Sequence, residues 1–236
     1  LIRVQGSNAN LFLLNPQGII FGANARLDVP GSFVATTATS FKLPDGSEFS
    51  AVNPQPPSLL AINITPGLQY GTRQGNISNA GQLSVRTGQN LTLLGQSVTS
   101  TGSLMAPGGR VEVLGDRVAL LNQASIDVSA PGGGGTVLIG GDFQGKGSAP
   151  NATTTFIAPN VTIRANAIGQ GNGGNVYVWS DQSTRFFGTI QAQGGANSGN
   201  GGFVEVSGKQ NLNYAGSVNA GAPKGTPGTL LLDPIN

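Results

Sequence analysis

"GGRVEVLGD" (108–116), "GGTVLIGGD" (134–142), "GGNVYVWSD" (173–181) and "GGFVEVSGK" (201–209) share one pattern. Each is a glycine pair, then a short strand apolar at alternate positions, then a turn. "PGTLLLDPI" (227–235) has the same shape. The first strand residues are Val111, Val137, Val176, Val204 and Leu230, at steps of 26, 39, 28 and 26. The long step holds "GKGSAPNATTTF" (145–156), so an insertion is expected over 142–160. A second strand follows in the units: Ile126–Val128, Ile190–Ala192 and Val218–Ala220. "GQLSVRTGQNLTLLGQSVTSTGSL" (81–104) supplies three more short strands about eight residues apart.

A period in this range, with several short strands per unit, means a solenoid, a propeller or an array. Propeller blades need roughly 40 or more residues and four strands. Units of 26 residues with three strands fit one coil of a right-handed parallel β-helix, each strand lying on its equivalent about 4.8 Å away. The first and third strand positions should then point inward, as in Val111/Val113, Val137/Ile139, Val176/Val178, Val204/Val206 and Leu230/Leu232. The second position should point out and is mixed: Glu112, Leu138, Tyr177, Glu205 and Leu231. Parallel stacking requires Val111 to lie over Val137, and Val176 under Val204.

Composition narrows the function. The chain has 236 residues, with 38 glycines, 9% charged and 38% hydrophobic residues, and net charge +2. That is enough apolar material for a core and too little charge for a disordered polyelectrolyte. The basic residues are scattered, so no nucleic-acid or anionic-membrane patch is indicated. Cysteine and histidine are absent. Disulfides, thiolate metal sites and Cys-His or Ser-His-Asp catalysis are thereby excluded. No cofactor or metal site is expected, and no stretch approaches the roughly 20 apolar residues of a membrane span. Starting at Leu1 without a signal peptide, the sequence reads as one β-helix domain over 1–236 whose targeting segment lies outside it.

Near the start, "NLFLLNPQGIIFGANARLDVPGSF" (10–33) sets Asn15-Pro16-Gln17-Gly18 between two hydrocarbon runs. Asn at i, Pro at i+1 and Gly at i+3 make a type I turn signal. The residues Asn15, Pro16, Gln17, Gly18 and Ile19, followed by "IFGANARLDVPGSFVATTA", resemble the Asn-Pro-Asn-Gly-Ile motif of two-partner secretion exoproteins, the filamentous-haemagglutinin-like family. Gln17 replaces the central Asn. The similarity continues through Ser32, Phe33, "ISNAGQLSV" (77–85) and "GTLLLDP" (228–234), closest to the cyanobacterial type.

The resemblance implies a non-enzymatic secretion domain of a large secreted adhesin. It implies recognition by an outer-membrane transporter with periplasmic receptor domains, transit of the periplasm unfolded, and display at the surface of a Gram-negative-type bacterium. It also implies an earlier motif and an amphipathic cap, which would precede Leu1. The apolar corner would nucleate the stack outside the cell.

Two other readings stay open. Asp116, Asp142 and Asp181 share one offset from their strands, with Lys209 at the same offset in the next unit. Stacked at one corner they would form an aspartate ladder, the seat of a polysaccharide-acting enzyme. Tyr177, Trp179, Phe186 and Phe187 lie close by and could stack on a sugar. Against this, Asp suits corners simply by making Asx-turns. The second alternative is a passive adhesin shaft. A last expectation concerns 39–76: "FKLPDGSEF" (41–49), with its turn at Pro44-Asp45-Gly46, and "NPQPP" (53–57) fall outside the repeat. The chain should leave the stack near Thr39 and rejoin near Ile77, carrying extra-helical strands that shield one side of the helix.

Overall fold

A computed structural model describes residues 1–42, 48–54, 69–70, 72 and 75–234. The chain winds into a parallel β-helix with three faces. The first face is a ladder of eight strands whose leading core residues stack as Leu11, Phe33, Leu91, Val111, Val137, Val176, Val204 and Leu230. The second face stacks Ile19, Ile77, Val98, Val118, Thr155, Thr184 and Leu212. The third stacks Leu83, Leu104, Ile126, Ile163, Ile190 and Val218. Above Leu83 the third face continues through an Arg26–Gln82 bridge to the paired strands Leu27–Asp28 and Ile2–Arg3. All these pairings are parallel. Val111 pairs with Val137 and Val176 with Val204, as the repeat requires.

Alternation explains the core. Leu91, Leu93, Val111, Val113, Val137, Ile139, Val176, Val178, Val204 and Val206 are all fully buried in one continuous cluster. Each such side chain contributes roughly 1.5–3 kcal/mol by leaving water. Leu230 and Leu232 hold the same inward phase yet are 40% and 41% exposed, because their row is open on one side at the last described coil. Polar residues also face inward on the second face. Thr155 donates to the Trp179 carbonyl (2.8 Å) and Thr184 to the Ser207 carbonyl (2.7 Å), so each buried hydroxyl is satisfied by backbone.

The outward second position of the first face departs from expectation at two coils. Leu138 and Glu205 point away from the helix axis but are 0% exposed. The residues of the long step cross over them. The strand Thr136–Ile139 ends, a short 3-10 turn forms at Phe143–Gly145, and the chain returns to the second face at Thr154–Ile157. Thr154–Ile157, inside the expected insertion, therefore belong to the stack, and the strap is confined to the residues between 140 and 153. Phe143 packs edge-on against Tyr177 (5.9 Å) and Phe203 (5.6 Å). The Gln144 amide donates to Glu205 Oε2 (3.0 Å).

Between the strands Phe33–Thr36 and Ile77–Asn79, three short strands stand outside the three ladders. Ser40–Lys42 pairs antiparallel with Glu48–Ser50 and with Gln69–Tyr70, the one antiparallel sheet among the described residues. The turn Pro44-Asp45-Gly46 and the prolines of 55–57 lie outside the described residues.

Position along the stack should set the cost of truncation. Leu93→Ala, in a fully buried row, should cost about 2–5 kcal/mol in urea unfolding, whereas Leu232→Ala should cost less than about 1 kcal/mol. Equal losses at the two positions would contradict the open row at Leu232.

Glu205 gives the strap a pH signature. Burial raises its pKa, the carboxylates of Asp233 and Asp142 push it the same way, and the Gln144 amide opposes them. The folded state thus holds this proton more tightly than the unfolded chain does. The resulting stability is complete below the ordinary carboxylate range and is lost as pH rises through the raised value. Glu205→Gln should remove that slope: between about pH 4 and pH 8 the wild type should lose more Tm than the variant. Parallel Tm curves would show that the strap does not sense this carboxyl.

Candidate functional site

The Asn15–Ile19 corner joins Leu11–Leu14 of the first face to Ile19–Phe21 of the second, so it is a coil corner and not a hairpin. Local chemistry forms the turn. The Gly18 amide donates to the Asn15 carbonyl (3.1 Å), and the Gln17 amide to Asn15 Oδ1 (3.1 Å). Gly18 has φ +124°, a conformation that L side chains rarely adopt. Pro16 at i+1 loses nothing by lacking an N–H there.

The corner's partners come from far along the chain. The Asn15 amide donates to Thr36 O (3.0 Å) and the Ile19 amide to Asn76 O (2.9 Å). Gly75 lies so close beneath the turn that an added Cβ would sit 2.6 Å from Pro16 O and 2.7 Å from the Gln17 carbonyl carbon. The Gly75 carbonyl accepts from the Thr37 hydroxyl (2.7 Å) and the Gln96 amide (2.9 Å). The Thr39 amide donates to the Thr72 carbonyl (2.9 Å). Both ends of the extra-helical segment therefore meet at this corner. The hairpin also covers its outer side: Phe12 packs on Phe41 (5.5 Å), which stacks on Phe49 (5.2 Å).

Apolar surface around the corner divides three ways. Ile19 and Phe21 enter the core, Phe12 meets the hairpin, and Ile20 stays 83% exposed. The corner residues carry no ionisable group. Sequence reading found the turn but not Thr37, Gly75 and Asn76, which no local pattern marks.

The three aspartates do not form one stacked row. Asp116 O accepts from the Thr153 amide, and the Asp181 amide donates to Ala152 O, so the strap residues intervene between equivalent offsets. Asp142 leaves the stack: its Oδ1 accepts from the Phe143 amide (2.7 Å), and its Oδ2 lies 3.8 Å from the Arg110 guanidinium. Asp181 Oδ1 accepts from Trp179 Nε1 (3.0 Å) and from Asn151 Nδ2 (3.2 Å). Lys209 lies on the next coil, its amide bonded to Ser180 O (2.9 Å). The aromatic group also disperses. Phe186 is core and stacks on Tyr214, Trp179 is buried, and Phe187 meets Phe156. No group of three or more acidic side chains suited to a metal ion occurs among the described residues.

The geometry is thus a three-faced parallel β-helix whose first coil turns on an Asn-Pro-x-Gly-Ile corner, with an extra-helical hairpin beside it. A family model described as the TPS secretion domain matches residues 1–138, and the chain belongs to that family. Its fold is similar to the crystal structure of the HMW1 secretion domain from Haemophilus influenzae, at TM-score 0.55 and 20% identity, covering 95% of this chain and 80% of that one. Comparison with curated proteins returned no match. The chain is thus a secretion domain of a two-partner secretion exoprotein of Gram-negative bacteria, and its partner is an outer-membrane transporter of that system. The family points to a non-catalytic role.

Gly75 tests the corner's architecture. Gly75→Ala should destabilise the domain by more than about 1 kcal/mol, since backbone must move to admit the methyl, while Gly88→Ala, which meets no atom within 4 Å but has φ +77°, should cost only its backbone strain, about 1 kcal/mol. A neutral Gly75→Ala would refute the close packing.

Proposed function

We propose that Asn15, Pro16, Gln17, Gly18 and Ile19, with the flanking hydrocarbon, serve twice. The partner transporter's periplasmic receptor domains read this segment while the chain is extended in the periplasm. Outside the cell the same segment closes the first coil, on which the rest of a secreted adhesin stacks. The observation that carries this reading is a division of the corner: the backbones of Asn15, Gly18 and Ile19 are held by hydrogen bonds within the coil, while the side chains of Gln17 and Ile20 face solvent. Folding accounts for the first set and makes no use of the Ile20 side chain, so a reading role can be separated from folding there. Lone exposed apolar residues are common, and the test is therefore made there.

The two roles separate by mutation in the full exoprotein co-expressed with its transporter. Ile20→Ser should lower extracellular yield several-fold while leaving the Tm of the folded domain nearly unchanged, because surface substitutions usually stay within about 0.5 kcal/mol. Deletion of residues 14–19 should abolish secretion. Normal yield from the deletion would exclude both roles, and normal yield from Ile20→Ser would confine the segment to folding.

The enzymatic reading draws no support from the aspartates, which the strap separates.

A further inference from the structure

The second face bears a surface feature that the Asn15–Ile19 corner does not involve. Its five strands from Ser97 to Tyr214 contain no Asp or Glu. One outward column runs Arg117, Thr154, Ser183, Asn211, and beside it Phe156 stands over Arg185. Between them lies an open depression of about 320 Å³ lined by Thr154, Thr155, Phe156, Ser183 and Arg185. The Arg185 guanidinium carbon sits 5.0 Å from the centre of the Phe156 ring, and Phe187 braces that ring edge-on (5.9 Å). Stacking fixes the guanidinium plane at less entropic cost than a free side chain would carry. Neither Arg185 nor Arg117 is ion-paired among the described residues, although the chain as a whole is nearly charge-balanced.

From this we infer that the Phe156–Arg185 depression binds an acidic polysaccharide, with a sugar carboxylate on the Arg185 fork. A preset guanidinium with free N–H donors matches a carboxylate in bidentate fashion. The hydroxyls of Thr154 and Ser183 and the amide of Asn211 offer the donors and acceptors that sugar hydroxyls need. Arg117 is in register with Ser183, two coils from Arg185 and two residues along the strand, so the two backbone positions are roughly 12 Å apart. Two spaced cations on strands that carry no acidic residue favour a repeating anion over a single ion. Two arginines are too few for the multiple phosphate contacts that hold nucleic acid. The site is independent of the Asn15–Ile19 corner and stands or falls apart from it.

Polyuronate binding by the 236-residue chain tests this, measured by calorimetry or surface binding at low salt. Dextran serves as the uncharged control, and vesicles of anionic phospholipid and duplex DNA as other polyanions. Polyuronate should bind and dextran should not, and added salt should weaken binding. Arg185→Ala should weaken it about tenfold, the loss of one charge-assisted pair. Phe156→Ala should do likewise by freeing the guanidinium. Both variants should keep the wild-type Tm within a few degrees, so that lost binding is not lost folding. Absence of polyuronate binding, unchanged affinity in Arg185→Ala, or equal affinity for vesicles or DNA would each overturn the assignment.

Discussion

In-register parallel pairing between equivalent strands is the constraint on which everything else rests. Each ladder step places like on like: Val111 on Val137, Leu104 on Ile126, Val98 on Val118. A one-residue slip in any strand would send its buried row to solvent and bring its outward row into the core. The glycine pairs support this from outside the strands. Gly109 and Gly135 stand where the chain turns into the first face, so close to the neighbouring coil's carbonyls that any side chain would collide. Side-chain alternation and glycine placement thus specify the same register twice.

Upon that stack two departures are built, and both use the outer surface of the first face. At one end the extra-helical hairpin lays Phe41 on Phe12. Further along, the strap lays Phe143 on Tyr177 and Phe203 and encloses Glu205. Each brings aromatic cover to a face that would otherwise be open on one side. Among the described residues the second face has no such cover, and there it bears the open depression beside Phe156 and Arg185.

The ladder was legible because an alternating strand behind a glycine pair recurs in four coils, from Gly108 to Gly202. Val137 and Val204 announce their phase without any knowledge of their neighbours. Leu138 and Glu205 do not, because what buries them is the strap, which leaves the first face after Ile139 and crosses the neighbouring rungs. Thr155 and Thr184 carry no sign of their inward phase, since a hydroxyl's partner is a backbone carbonyl with no sequence signature. The aspartates were misleading for a related reason. Equal distance from the strand in sequence is equal position in space only where no residues intervene, and between Asp116 and Asp181 the strap does. The Asn15–Gly18 turn was evident from four residues, but its seat at Gly75 and Asn76 was not, because the intervening excursion carries no repeat to count along.

That excursion has a consequence for the order in which coils can close. The first face steps 22 residues from Leu11 to Phe33, then 58 from Phe33 to Leu91. Loop-closure entropy grows only with the logarithm of length, so the longer step costs about 0.9 kcal/mol more than the shorter. Thermodynamically the detour is almost free. Kinetically it is a delay line: for a chain emerging N-terminus first, the second coil has no third coil to rest on until some sixty further residues have appeared. During that interval Leu11–Leu14 and Phe33–Thr36 form only a two-strand ladder, too small to be stable alone. Commitment to the fold would therefore come late and at once, when Leu91 arrives.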